Sequence, residues 1–217
     1  RENVALQHIL SFISMTYQIK ECNTPPRFQL ITDDQALLDV CEQARTQSAV
    51  ALDTEFIRVR TLYPKLGLIQ LYAGDEVALI DPTTIQDFSP FIALLADESV
   101  LKVLHACGED LEVFQHYFQQ LPQPMCDTQV MANFLGFAGS AGFATLVQHY
   151  FHIEIDKGAS RTDWLARPLS EIQLRYAAAD VWYLLPLYAQ MQIQLAQTEW
   201  QSAVKNECEF LLHKRAH

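Results

Sequence analysis

The sequence has no apolar run long enough to cross a membrane. None of its hydrophobic stretches approaches the roughly 18 consecutive apolar residues that a spanning helix needs. The stretch VALQHILSFISM near the start carries polar interruptions and lacks the small-residue cleavage pattern of a signal peptide. We therefore predict a cytoplasmic protein that does not contact membranes.

Cysteines at metal-binding or redox spacings are also missing. The five cysteines are odd in number, scattered along the chain and never spaced as C-x-x-C. They are Cys22, Cys41, Cys107, Cys126 and Cys208. This usage argues against a disulfide framework and against a cysteine-rich zinc site. It fits a reducing cytosol.

Basic residues are also few, with 15 Lys and Arg against 26 Asp and Glu. The formal net charge is −11 at pH 7, which argues against a broad nucleic-acid-coating surface because phosphate binding usually requires a basic footprint. A local nucleic-acid site that works through bound cations stays compatible with this charge. Hydrophobic residues make up 50% of the 217 positions, enough for the core of one large domain or of one domain with an appendage.

The first half of the chain predicts a strand, a helix and then a meander of strands. FQLIT reads as a short strand, and DDQALLDVCEQA as a helix capped by Asp33 or Asp34. SAVALD, LGLIQLYAG and EVALID follow as strands, the last two joined through Gly74 and Asp75 as in a hairpin. Consecutive strands of this kind form a meander.

The middle of the chain alternates helix and strand. SPFIALLAD reads as a helix, VLKVLHA as a strand, and GEDLEVFQHYF and DTQVMANFL as helices. A meander followed by such a pattern predicts an α/β fold with a mixed β-sheet flanked by helices.

The last strongly specified element is a helix in PLSEIQLRYAAADVWYLLPLY. Ser170 and Gln173 have the spacing of a capping box, so the helix should begin just after Ser170. Tyr176 and Asp180 then share one helical face. Pro186 is expected to kink or end this helix, with a further helix after it.

These patterns divide the chain into three parts. Residues 1–26 are predicted to be an N-terminal extension of unknown role, with Met15 as a possible natural start. Residues 27–190 are predicted to form the main domain. Residues 191–217 are expected to be a helical segment.

Two carboxylates stand one residue apart in VALDTEF, where Asp53 and Glu55 end an apolar run. At a strand end these side chains point to the same side and repel each other, which indicates a missing positive partner. Asp110, after the glycine turn in LHACGEDLEVF, and Asp180 are further acids of interest. Hard oxygen ligands suit Mg²⁺ or Mn²⁺. We predict two divalent cations about 3.5 to 4 Å apart, a pair that can cleave phosphodiester bonds.

Each of these residues also has an ordinary structural interpretation. An Asp-x-Glu pair is common in turns, and Asp110 could be an acid favoured at a helix N-terminus. Tyr176 could be a core tyrosine and Asp180 a solvated acid. The metal hypothesis depends on the set taken in order and context.

These residues carry a resemblance to bacterial ribonuclease D, in the DEDD superfamily of 3′-to-5′ exonucleases with tyrosine in the third motif. ALDTEFIRVRTLYPKLGLIQL resembles its first motif, KVLHACGEDLEVF the second, and SRTDWLARPLSEIQLRYAAADVWYLLPLY the third. The motifs agree in order, spacing and flanking residues over most of residues 28–190. The resemblance implies four metal ligands and one water-positioning tyrosine: Asp53, Glu55, Asp110, Asp180 and Tyr176.

The resemblance also implies a ribonuclease H-like fold, in agreement with the predicted α/β architecture. It further implies that residues 191–217 lead to C-terminal helical repeats, which this sequence does not contain. We infer that Asp53 bridges both cations, that Glu55 and Asp180 complete the first, and that Asp110 holds the second directly or through water. Since a phenol titrates near a pKa of about 10, Tyr176 is expected to orient the attacking water.

Three functions are compatible with these residues. The favoured one is a monomeric, metal-dependent exoribonuclease that releases 5′-mononucleotides from RNA 3′ ends, including those of transfer-RNA precursors. The nearest alternative is a 3′-5′ DNA exonuclease of the same superfamily, such as a proofreading or Werner-type domain. The third is a catalytically silent RNA-binding scaffold. Such a scaffold would be expected to have lost one of the four carboxylates, and all four are present in the sequence.

Other residues have weaker signals. Bases could stack on aromatic rings and phosphates could meet basic groups around the first and third motifs. The candidates are Phe56, Tyr63, Arg58, Arg60, Lys157, Arg161 and Arg167. The alternative for all of them is ordinary core and surface. His105, near Cys107, suggests zinc, but a histidine in an apolar strand is more often a hydrogen-bonded core residue.

Overall fold

The computed structural model describes residues 24–58, 60 and 62–216. Most of the predicted N-terminal extension lies outside the described residues. The strands are β1 (Phe28–Ile31), β2 (Ala49–Ile57), β3 (Lys65–Tyr72), β4 (Val77–Ile80), β5 (Leu101–Leu104) and β6 (Met125–Asp127). The helices are α1 (Asp34–Ala44), α2 (Ser89–Ala96), α3 (Gly108–Phe118), α4 (Thr128–Phe134), α5 (Phe143–Phe151), α6 (Glu171–Trp182), α7 (Leu184–Ala196) and α8 (Gln201–Ala216).

The strands form one mixed sheet in the order β1-β4-β3-β2-β5-β6. β2, β3 and β4 run antiparallel to their neighbours along the chain, so the predicted meander is confirmed. β1, β5 and β6 are added in parallel at the two sides. The predicted α/β fold with helices around a mixed sheet is also confirmed.

Strand periodicity divides the apolar residues between the two faces of the sheet. Ala51 and Leu79 belong to a core cluster with Ala177 and Val181 of α6. Leu52 and Ile80, the next residues along these strands, belong to a second core cluster on the other face. This second cluster also contains apolar residues of α1, α2 and α3. Since successive side chains of a strand alternate between faces, each central strand is buried on both sides.

β2 extends further than the sequence predicts. Asp53 and Glu55 lie inside the strand, which continues to Ile57, so the expectation that they stand at a strand end is wrong. The pairing with β3 shifts register between Glu55 and Phe56. The apolar run in the sequence ends at Leu52, but hydrogen bonding to β3 carries the strand past it, which a hydrophobic pattern does not show.

Two elements before α6 are absent from the predicted set. β6 has only three residues, too short to show a period. α5 has no strong start signal in the sequence, because no side chain caps its first turn. The single further helix expected after Pro186 is instead two helices, α7 and α8. Gly74 has a φ of 107°, a left-handed conformation that suits glycine in the predicted hairpin turn.

The capping box that opens α6 is present as predicted. The Ser170 side chain accepts a hydrogen bond from the Gln173 backbone, and the Gln173 side chain accepts one from the Ser170 backbone. The helix ends earlier than expected, at Trp182, and Pro186 lies in the first turn of α7. A proline is tolerated there because the first backbone N–H groups of a helix have no partner within it. No helix of the described residues is long and apolar enough to span a membrane.

Candidate active site

The sheet supplies two of the carboxylates. Asp53 and Glu55 lie on the face of β2 that packs against α6, since they alternate with Leu52 and Thr54. Glu55 is only 9% exposed. Gln70 of β3 is paired directly with Asp53 across the strands. The two acids therefore project from a rigid, buried part of the sheet.

α6 supplies the next two functional side chains. Asp180 and Tyr176 are one helical turn apart and face the sheet. Carboxylate oxygens of Asp53, Glu55 and Asp180 all lie within 4.8 Å of one another. Residues far apart in the sequence thus form a compact triad of acids, in which one divalent cation could be held.

The fourth acid comes from the N-terminal turn of α3. Asp110 is 5% exposed and accepts a hydrogen bond of 2.5 Å from Thr54 Oγ1. It also lies within hydrogen-bonding distance of the Asp53 side chain. Thr54 additionally donates its backbone N–H to Asp53 Oδ1 at 2.9 Å. Thr54 therefore links the two acids, a role that the sequence analysis missed.

The carboxylates of the cluster raise one another's pKa. Burial raises the pKa of Asp53 well above the ordinary value, and the neighbouring Asp180 carboxylate adds to this rise. Burial likewise raises the pKa of Asp180, with the Glu55 carboxylate as the next cause. Burial also raises the pKa of Glu55 and Asp110, with Asp53 as the next cause for both. Four clustered acids with raised pKa values, two of them buried and two half-buried, are a site in which bound cations would replace protons.

Tyr176 is held beside the acids in its neutral form. Burial raises the pKa of its hydroxyl, and the charges of Asp180 and Glu55 add to the shift. The nearby Ser160 side chain offsets part of this rise, and the Tyr176 ring lies 6.0 Å from the Trp164 ring. A neutral phenol can donate a hydrogen bond but cannot act as a strong base.

Trp164 belongs to a loop that is packed onto β3. A Cβ atom added at Gly67 would lie 2.5 Å from the Trp164 carbonyl oxygen, so only glycine allows this close approach. The sequence does contain a signal, because a glycine inside a strand pattern often marks a close backbone contact. The contact fixes the loop that carries Ser160 and Trp164 next to Tyr176.

Arg167 at the end of this loop is a structural residue. Its guanidinium contacts Asp81 through Nε and Nη2 at 3.1 and 3.0 Å. It also donates to the backbone oxygens of Trp164 and Gly67, both at 2.7 Å. The expected phosphate contact of Arg167 would require these bonds to break. Sequence reasoning could not find the pairing because Asp81 lies far away in the chain.

The candidate RNA contacts around the first motif have protein neighbours. Arg58 forms ion pairs with Glu112 at 2.8 Å and Glu109 at 3.6 Å, both on α3. Phe56 packs against the core cluster that contains α3. These contacts tie β2 to the helix that carries Asp110.

The remaining basic candidates lie on the surface. Arg60 is exposed with a φ of 44°, and Lys157 and Arg161 are exposed in the loop after α5. His105 is hydrogen-bonded at both ring nitrogens, to Thr128 Oγ1 at 2.7 Å and to the Ala141 carbonyl at 3.0 Å. The hydrogen-bonded interpretation of His105 is confirmed.

Comparison with known proteins agrees with this geometry. A family model described as 3′-5′ exonuclease matches residues 28–196, so the fold and the acidic cluster define a 3′-5′ exonuclease domain. The chain belongs to this family. Within it, the particular protein that the chain resembles is ribonuclease D, as the three motifs predict.

The curated relatives make the resemblance specific. Ribonuclease D of Haemophilus influenzae is 62% identical over 196 residues, which cover 90% of this chain and 49% of the relative. Ribonuclease D of Escherichia coli is 53% identical, over 87% of this chain and 50% of the relative. The chain therefore spans about half the length of the curated relatives it matches.

Solved structures show the same fold. The crystal structure of Escherichia coli RNase D, described as an exoribonuclease involved in structured RNA processing, matches with a TM-score of 0.86 and 52% identity. The match covers 88% of this chain and 51% of that one. Brucella melitensis NrnC with bound Mg²⁺ matches with a TM-score of 0.75 and 26% identity, over 88% of this chain and 92% of that one.

Proposed function

We propose that this chain is the catalytic part of a 3′-to-5′ exoribonuclease that releases 5′-mononucleotides from RNA 3′ ends, including those of transfer-RNA precursors. The observation that carries the proposal is the convergence of four carboxylates from β2, α3 and α6, two buried and two half-buried, beside one neutral tyrosine. Family membership and the similarity to ribonuclease D support it.

The residues fit two divalent cations, which we propose to be Mg²⁺ or Mn²⁺. Asp53, Glu55 and Asp180 would hold one, and Asp53 with Asp110 would hold the second. The donors are all hard carboxylate oxygens, and their raised pKa values show that the protein supplies too little positive charge of its own. When bound, such cations stabilise charge on phosphate oxygens and lower the pKa of water to about 7.

Tyr176 would orient the attacking water by a hydrogen bond. Its hydroxyl stays protonated because burial and the neighbouring carboxylates raise its pKa. Positioning by a fixed group lowers the barrier without any proton transfer to the tyrosine.

The substrate strand would meet the exposed basic residues on two loops. We propose that Arg60, Lys157 and Arg161 contact phosphates, while Phe56 and Arg58 contribute less directly because of their contacts within the domain. Residues 27–190 would form the exonuclease domain. Residues 191–217 would be a helical segment leading towards further helical repeats.

The test uses end-labelled RNA and DNA of the same sequence, with Mg²⁺, Mn²⁺ or a chelator. The proposal expects stepwise shortening of a 3′-hydroxyl RNA, resistance of a 3′-phosphate RNA, and no reaction in chelator. Circular RNA should stay intact, since an exonuclease needs an end. Cutting of circular RNA would contradict the exonuclease assignment, and faster digestion of DNA would favour the DNA exonuclease.

A further inference from the structure

Gln70 lies at the centre of the acidic site and has no role in the chemistry described above. It is fully buried in the middle of β3, at 0% exposure. It is the cross-strand partner of Asp53, so its side chain projects from the same face of the sheet towards α6.

The amide nitrogen of Gln70 connects the sheet to α6. Nε2 donates to Glu55 Oε1 at 3.2 Å and to the Ala177 carbonyl at 3.4 Å, with Asp53 Oδ2 at 3.5 Å. Ala177 directly follows Tyr176 in the helix. One donor group thus touches both acids of β2 and the backbone of the helix that carries Asp180.

The other end of the amide shows that this contact is not there for core stability. Gln70 Oε1 is buried and accepts no hydrogen bond from the described residues. A buried unpaired acceptor is destabilising, and an apolar side chain would avoid this cost. Flipping the amide would place this oxygen against the two carboxylates, so the observed orientation is fixed by Asp53 and Glu55.

We propose that Gln70 is a positioning residue for cation binding, an inference that rests on the proposed function. Its N–H group holds Glu55 and Asp53 at a set distance from α6, so that the oxygens of the triad converge. Because the amide is neutral, it orders the acids without competing for the place of a cation. A lysine or arginine here would neutralise the site instead.

The experiment replaces Gln70 with methionine, which is similar in length, unbranched and without a donor. Leu79→Met is the matched control, because Leu79 is paired with Gln70 on β4, is fully buried and has no polar contact. Mn²⁺ affinity is measured by calorimetry without RNA, and thermal unfolding is measured in chelator. RNA turnover is followed separately for the wild-type chain.

Gln70→Met should bind Mn²⁺ about 10- to 100-fold more weakly, the usual effect of losing a partner of a metal ligand. Its unfolding temperature in chelator should not fall below that of Leu79→Met, and the control should bind Mn²⁺ like the wild type. If Gln70→Met does not fold, Gln70→Leu provides the same test with a better strand former.

Unchanged Mn²⁺ affinity in both Gln70 variants would overturn the inference, as would an equal loss in Leu79→Met. Failure of the proposed function looks different, since the wild-type chain would then bind Mn²⁺ normally and still leave RNA intact. A wild-type chain that binds no Mn²⁺ would overturn the metal site and this inference together.

Discussion

Two acidic sites of the same sheet differ in how their negative charge is compensated. Asp81, at the end of β4, accepts hydrogen bonds from Thr83 N, Thr83 Oγ1 and two nitrogens of Arg167. Burial alone would raise its pKa, but the bonds from Arg167 and Thr83 hold the pKa below the ordinary value. At Asp53 the nearest charges are other carboxylates, and the pKa is raised.

The difference separates a structural acid from a functional one. The protein supplies the positive charge for Asp81 itself, so this carboxylate stabilises the loop that ends at Arg167. The positive charge beside Asp53, Glu55 and Asp180 would instead come from cations bound from solution. Buried acids without basic partners oppose folding, and such a cluster persists only where another function requires it.

The largest expected effect comes from Asp53→Asn or Asp180→Asn. RNA turnover in saturating Mg²⁺ should fall by more than about 1000-fold, since several kcal/mol of charge stabilisation would be lost. In chelator, the free energy of unfolding should stay equal or increase because repulsion is relieved. Turnover assays and urea unfolding of the same preparations measure both. Near wild-type activity in either variant would refute the assignment of these ligands.

Tyr176→Phe should have the next largest effect. We expect turnover to fall roughly 10- to 1000-fold, the range typical of lost positioning and hydrogen bonding. Mn²⁺ affinity should be unchanged, because the hydroxyl is not a ligand. Undiminished turnover would show that the hydroxyl does not meet the attacking water. Ser160→Ala, which removes a neighbouring hydroxyl and leaves Tyr176 in place, should give a smaller loss.

Asp81→Ala tests the other side of the comparison. It leaves Arg167 partly buried without its partner and should lower the free energy of unfolding by about 2 kcal/mol. Urea unfolding in chelator measures this change, which is opposite in sign to that of Asp53→Asn. If Asp81→Ala is as stable as the wild type, the distinction between the two sites fails. Glu76→Ala, at an exposed acid just before β4, is the control.

The smallest effect is on the pH dependence of stability. The carboxylates of the triad bind protons more tightly in the folded chain, so without metal the stability should fall as the pH rises from about 4 towards neutral. Asp53→Asn should flatten this slope. The contribution of Asp81 to stability depends on pH in the opposite direction. Because its pKa is lowered in the folded chain, this contribution is lost as the pH falls below about 4. Thermal unfolding in chelator between these pH values, compared for the variants, measures each slope.

The sequence predicts the members of the acidic site better than it predicts their surroundings. Motif order identified the residues that come together from β2, α3 and α6, because the three motifs occur in a set order with their own flanking residues. Thr54, Gln70 and Arg167 were not assigned their roles, since a threonine, a glutamine or an arginine gives no such signal before its partners are known. Likewise, hydrogen bonding to β3 extends β2 beyond the hydrophobic run that predicts it.

The capping box of α6 limits where the chain can tolerate the insertion or deletion of residues. Ser170 fixes where the helix begins, and each residue added or removed after it rotates Asp180 by about 100° around the axis. A single in-frame insertion or deletion between Ser170 and Asp180 would therefore turn the acid away from the triad. The exposed residues 138–140 carry no such constraint, because a side chain added at Gly139 meets nothing within 4 Å. Length variation in this lineage should accumulate at these residues and be purged from the first turns of α6.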